Sequence, residues 1–155
     1  MQLVVYSSKH GSTKRCAEML AEMLQANLLN AAEGLEVSLD KYDVVVLGSP
    51  VYVGQLLKPM KRFLEEHRTA LQEKKLGLFV LCGFEERAME IMEQTFPKEL
   101  TSIAACKGYF GYSYTNLPFF ERLLCRMIGA DVGTEKLLTE EIAAFAEKLK
   151  QEAVR

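Results

Sequence analysis

Residues 44–47, Val44-Val45-Val46-Leu47, put apolar side chains on both faces of one short segment. A strand buries both faces when it lies in a parallel sheet covered on two sides by helices. The rest of the chain repeats this pattern, with short apolar runs alternating with longer segments of helical period. Residues 3–6 form a continuous apolar run ending in Ser7-Ser8, which reads as a buried strand. Cys16, Met19, Leu20, Met23 and Leu24 recur at three- and four-residue steps and share one helical face. Residues 26–29 read as a second strand, and Gly48-Ser49-Pro50 as the stop after 44–47.

Pro59 suits the first turn of a helix carrying Met60, Phe63, Leu64 and His67 on one side, with His67 a surface residue. Residues 76–81 give a further strand, 85–94 a helix ended near Pro97, and 103–106 or slightly beyond a fifth strand. Thr134 is the expected N-cap of a last helix with the stripe Leu138, Ile142, Phe145 and Leu149. With no linker, repeat or low-complexity segment, residues 1–155 read as one α/β domain, a parallel sheet between two helical layers. Ligands of such folds bind beyond the carboxyl ends of strands, so the residues following each strand carry the functional information.

After the first strand, Ser8-Lys9-His10-Gly11-Ser12-Thr13 runs into a helix. Hydroxyls, backbone N–H groups and the positive end of the helix dipole together suit an anion, although a plain Ser/Thr cap has the same composition. His10 either touches that anion or points away from it. The loop lacks the G-x-x-x-x-G-K-[ST] and G-x-G-x-x-G patterns, the carboxylates of a phosphoryl-accepting receiver and the nucleophilic cysteine of a phosphatase. After the third strand, Pro50-Val51-Tyr52-Val53-Gly54 reads as a tight loop that turns Tyr52 outward, either as a stacking platform for a planar ring or packed locally. After the fourth, Cys82-Gly83-Phe84 either supplies backbone groups to a ring edge or is an ordinary turn.

Charge narrows the partners. Nineteen basic and 21 acidic residues leave a net −2, which gives no pull toward nucleic acid and no polybasic membrane tether. Cys16, Cys82, Cys106 and Cys125 lack metal-ligand spacing and read as reduced thiols packed as small hydrophobes, without a metal site. The N-terminal apolar run is too short for a secretory signal, so the expected location is cytoplasmic. Residues 117–128 place Phe120, Leu123, Leu124, Met127 and Ile128 on one broad face. Core packing is the default for that stripe, with Leu117 and Phe119 leaving room for a homodimer contact or a peripheral membrane contact.

These loops resemble the flavodoxin superfamily. Residues 8–13 are similar to its [ST]-x-[TSD]-G-x-T phosphate loop, and residues 48–54 to the loop whose aromatic residue stacks on the isoalloxazine. Residues 82–84 fall where the ring-edge loop is expected. The resemblance implies a three-layer flavodoxin-like fold with a five-stranded parallel sheet ordered 2-1-3-4-5. It further implies non-covalent FMN at the carboxyl edge, electron transfer, and a redox partner protein. His10 and Lys9 depart from the family's usual hydroxyl-rich loop, and the chain is less acidic than ordinary flavodoxins. Gly108-Tyr109-Phe110-Gly111-Tyr112-Ser113-Tyr114, followed by Phe119-Phe120-Glu121-Arg122, resembles the aromatic insertion of the flavodoxin-type, quinone-dependent protoporphyrinogen oxidases. That likeness implies an enzyme with a quinone or small-molecule substrate under an aromatic roof.

Overall fold

The computed structural model describes residues 1–113, 123, 127 and 135–154. The central sheet joins β1 (Gln2–Tyr6), β2 (Asn27–Asn30), β3 (Val44–Tyr52), the short β4 (Gln55–Leu56), β5 (Lys75–Leu81) and β6 (Cys106–Tyr109). The five parallel strands run in the order β2-β1-β3-β5-β6, and β4 pairs antiparallel with the end of β3. With β4 set aside, this is the expected 2-1-3-4-5 order.

Alternate strand residues go to opposite layers. Leu3, Val5, Val45, Leu47, Leu76, Leu78 and Val80 pack on one face. That face is covered by α2 (Lys58–Glu66), α3 (Arg68–Gln72), α4 (Ala88–Thr95) and α5 (Lys98–Thr101). Val4, Tyr6, Val44, Val46, Phe79 and Leu81 pack on the other, under α1 (Ser12–Leu24) and α6 (Thr139–Val154). This two-sided burial follows from the period of two in a strand whose neighbours are joined by crossover helices.

Several elements differ from the sequence reading. β3 does not stop at Gly48-Ser49-Pro50 but continues to Tyr52. Gly48 pairs with Phe79 across the sheet, and a Cβ there would sit 1.9 Å from the Phe79 ring. The missing side chain is thus filled by a neighbour's ring and is no break. The Gly48 carbonyl accepts from Ser7 N–H on the β1 side at 3.0 Å. Pro50, two residues on, faces the same side beyond the last paired residue of β1, where its missing N–H costs no ladder bond.

On α1 the buried face is Cys16, Ala17, Leu20, Ala21 and Leu24, with Met23 36% exposed, because the small alanines lie toward the sheet and α6. The second strand starts one residue later than expected, at Asn27. The fifth parallel strand is Cys106–Tyr109, and Ile103, 45% exposed, lies in the turn before it. The helix expected over 85–94 begins as a 3-10 turn at Glu85–Arg87, and α4 starts at Ala88. Thr134 lies outside the described residues and α6 starts five positions later. Leu138 holds the cap position there, its carbonyl accepting from Ile142 N–H at 3.0 Å. His67 is half-buried, tilts against Phe63 at 4.4 Å and bonds the Gly34 carbonyl through Nε2 at 3.0 Å, so it fastens the end of α2.

A ribbon of β7 (Gly111–Ser113) and β8 (Glu135–Leu137) was not legible in the sequence. It leaves the sheet at Gly111, whose φ is +120° and whose Cβ would meet the Lys136 carbonyl oxygen at 1.8 Å. Only glycine fits there. Phe110 just before it is fully buried, stacked on Phe79 at 4.6 Å and edge-on to Phe145 at 5.3 Å, so it belongs to the core rather than to a roof. Tyr114, Cys125 and the apolar face expected over 117–128 lie outside the described residues, save Leu123 and Met127, which are 43% and 75% exposed. Among the described residues no helix is long and apolar enough to cross a membrane.

Candidate functional site

The carboxyl ends of β1, β3 and β5 open on two clefts that share Val51, Tyr52 and Cys82. The first, about 320 Å³ with its mouth included, is lined by Ser8, Lys9, His10, Ser12, Thr13, Pro50, Leu81 and Tyr112 beside the shared three. The second, about 660 Å³ on the same measure, adds Val53, Gly54, Gly83, Phe84, Arg87, Ile91 and Gln94. The three loops singled out in the sequence therefore meet at one place. Of their residues only Gly11 lines neither cleft; it caps α1 with φ +95°.

The loop after β1 is built to face negative charge. Gly11 gives α1 no side-chain cap, so the first-turn amides look outward beside Ser12 and Thr13. Ser8 Oγ accepts from Gly11 N–H at 3.0 Å, which leaves its own proton to donate. The first turn of α1 carries no acidic residue and instead holds Lys14 and Arg15, charges that oppose the helix dipole unless an anion sits there. Among the described residues no carboxylate lines either cleft.

The wall after β3 is a strand end, not an outward loop. Tyr52 pairs with Gln55 across a two-residue turn, Val53-Gly54, with φ of +50° and +71°. Two positive φ values make this a type I′ hairpin, which favours Asn or Gly first. Val53 is β-branched and 64% exposed, so its left-handed backbone is strained without burial to offset it. Ser49, fully buried, donates to the Pro50 carbonyl at 2.9 Å and accepts from Leu57 N–H at 3.3 Å, tying the hairpin to the start of α2. Tyr52 is half-buried, with the His10 ring edge-on at 6.5 Å and the Lys9 ammonium 5.6 Å from its centre.

The wall after β5 is framed by hydrogen bonds. Cys82 N–H donates to the Gly111 carbonyl at 3.1 Å, Tyr109 O–H to the Cys82 carbonyl at 3.1 Å, and Arg87 N–H to the Phe84 carbonyl at 3.1 Å. Burial pushes the Cys82 thiol up from its usual value and, with Cys82, Glu85 and Tyr112 adding to it, pushes the Tyr109 hydroxyl up as well. Both groups are neutral at pH 7, so Cys82 presents a thiol to the cleft and not a reactive thiolate.

A model of the flavodoxin domain matches residues 3–137. The chain belongs to the flavodoxin domain family. An uncharacterised protein of Methanocaldococcus jannaschii is 28% identical over 108 residues, 69% of this chain and 67% of that protein. The rubredoxin:oxygen oxidoreductase of Desulfovibrio gigas shares the fold at a TM-score of 0.61 and 17% identity, over 99% of this chain but 37% of that one. A Fusobacterium nucleatum flavodoxin mutant bound to flavin mononucleotide does so at 0.57 and 13% identity, over 97% of this chain and 95% of that one.

Sequence reasoning missed Tyr112, Leu81, Arg87, Ile91 and Gln94 as cleft residues. Arg87, Ile91 and Gln94 recur at helical spacing after Phe84, a signal that names a helix face but not what it looks onto. Tyr112 stood in the aromatic run without a direction. The family's cofactor fits the residues present: uncapped amides and hydroxyls at one end suit a phosphate, and Tyr52 and Phe84 on an apolar wall suit a planar ring.

Proposed function

We propose that the chain binds FMN non-covalently and passes electrons between larger redox partners in the cytoplasm. The observation that carries this reading is the single cleft shared by the uncapped α1 loop and Tyr52. Bound flavin supplies reversible redox chemistry, and the protein sets its orientation and surroundings. The amides and hydroxyls of loop 8–13 hold the phosphate, and Tyr52 and Phe84 bury the ring's faces from water. Pro50 and Ser49 fix the hairpin so that Tyr52 stays in place. A cytoplasmic setting fits Cys82 and Cys106, which are free thiols and buried. The test is to photoreduce the purified protein under anaerobic conditions and mix it with an electron-acceptor protein. Full bleaching of the flavin bands followed by rapid recovery supports a carrier. A protein with no chromophore and no reversible bleaching overturns the reading.

One observation favours a second reading, a quinone-dependent oxidase acting on a porphyrinogen-like substrate. Tyr112, from the segment that resembles those enzymes, lines the first cleft beside Tyr52. Steady-state turnover of a porphyrinogen with a quinone acceptor distinguishes this enzyme from a carrier.

A further inference from the structure

Lys9 and Tyr52 belong to different loops, yet they meet across the cleft. The Lys9 ammonium stands 5.6 Å from the centre of the Tyr52 ring, and His10 meets the same ring edge-on at 6.5 Å. The loop argued to take the phosphate therefore rests on the ring argued to take the flavin.

A cation over an aromatic face is held by the ring quadrupole, a weak attraction where water has access, and Lys9 is exposed. A phosphate dianion on the same loop offers that ammonium a charge-assisted contact, which is the stronger class. The lysine stem is flexible enough to reach either, and one ammonium cannot lie over the stacking face while a flavin occupies it.

We propose that Lys9 gates Tyr52: phosphate in loop 8–13 draws the ammonium off the ring, so the chain selects a phosphorylated flavin over a bare one. The inference rests on the FMN reading above and deepens it. A ligand that lacks the phosphate must displace Lys9 at its own cost, which lowers its apparent affinity by the fraction of open sites. A ligand that carries it opens the site as it binds.

The test is a fluorescence-quenching titration of wild type and Lys9→Met with FMN and with riboflavin. An exposed lysine replaced by a side chain of similar length leaves the fold in place. FMN binding weakens about tenfold or more in the variant, as a charged contact is lost. Riboflavin binding tightens about two- to fivefold, because the cation–π contact no longer competes. Inorganic phosphate, with ionic strength matched by sodium chloride, tightens riboflavin binding to wild type by a similar factor and leaves Lys9→Met unchanged. If FMN binds but riboflavin affinity is the same in both proteins, or phosphate fails to promote it in wild type, the gate is overturned and the FMN reading stands. If neither flavin is quenched by wild type, both fall.

Discussion

The interior of the sheet and its carboxyl edge follow opposite rules. From Val44 to Leu47 no side chain is more than 5% exposed, each alternates cleanly between two layers, and Phe79 fills the space that Gly48 leaves. A few residues further along the same strand a proline stands in the ladder, and in the turn just past the strand's end a valine sits at φ +50°. Beside them Ser7 buries a hydroxyl that has no hydrogen-bond partner among the described residues, and α1 begins without a side-chain cap. Departures of this kind cluster where a site is held at the expense of local stability. The interior fixes the frame, and the edge carries the donors and the ring of the proposed site.

This contrast is open to direct attack. The largest effect belongs to the interior: Phe79→Ala removes a fully buried ring stacked on Phe110, at a cost of about 3–5 kcal/mol. Urea unfolding reads it as a lower midpoint at constant slope, and a loss below about 1 kcal/mol breaks the comparison. Tyr52→Ala acts on the ligand instead. It weakens FMN by about 1–3 kcal/mol, the range for loss of a stacking aromatic, while the urea midpoint of the apoprotein moves little. Equal FMN affinity in wild type and variant removes Tyr52 as the platform.

The strained turn gives the opposite sign. Val53→Asn places a residue that tolerates a left-handed backbone first in the type I′ turn, and raises apoprotein stability by about 1 kcal/mol. An unchanged or lower midpoint shows that Val53 is held by something other than strain. The framed wall predicts a pH dependence. Burial raises the Cys82 thiol above its usual value of 9.0, so the folded state keeps its proton longer than the unfolded one. That contribution is complete below the unfolded pKa and is lost as pH rises from there through the folded one. As pH rises above the usual thiol range the urea midpoint falls, and it falls less in Cys82→Ala. Parallel profiles for the two proteins contradict this assignment. Last, Ser7→Ala deletes an unpartnered buried hydroxyl and leaves stability within about 0.5 kcal/mol of wild type or slightly above it. A loss well beyond that means the hydroxyl has work in the apoprotein.

The same contrast explains what the sequence made legible. Residues 44–47 and 76–81 announce themselves because both faces are apolar and packing alone decides them. Gly48-Ser49-Pro50 reads as a stop because each residue is a poor strand former locally. Only the Phe79 ring over Gly48 and the absent β1 neighbour at Pro50 let the strand run on, and both facts are non-local. The β7–β8 ribbon is three residues long on each side, too short for periodicity to register. At the site, loops 8–13 and 50–54 were legible because hydroxyls, glycine and an aromatic after a strand carry local chemistry. Arg87, Ile91 and Gln94 were not, since a helix stripe does not say which cleft it borders. The contact of Lys9 with Tyr52 joins two segments some forty positions apart and has no trace in either.

The central claim is that loop 8–13 grips the phosphate of a flavin whose ring lies on Tyr52. Phosphorus NMR of the protein with one equivalent of FMN tests it without appeal to turnover. A phosphate monoester in water titrates with a pKa of about 6. Held by amides, hydroxyls and the end of α1, it stays a dianion and gives one displaced resonance whose position is constant across that range. A resonance at the free-FMN position that moves with pH as free FMN does contradicts the account.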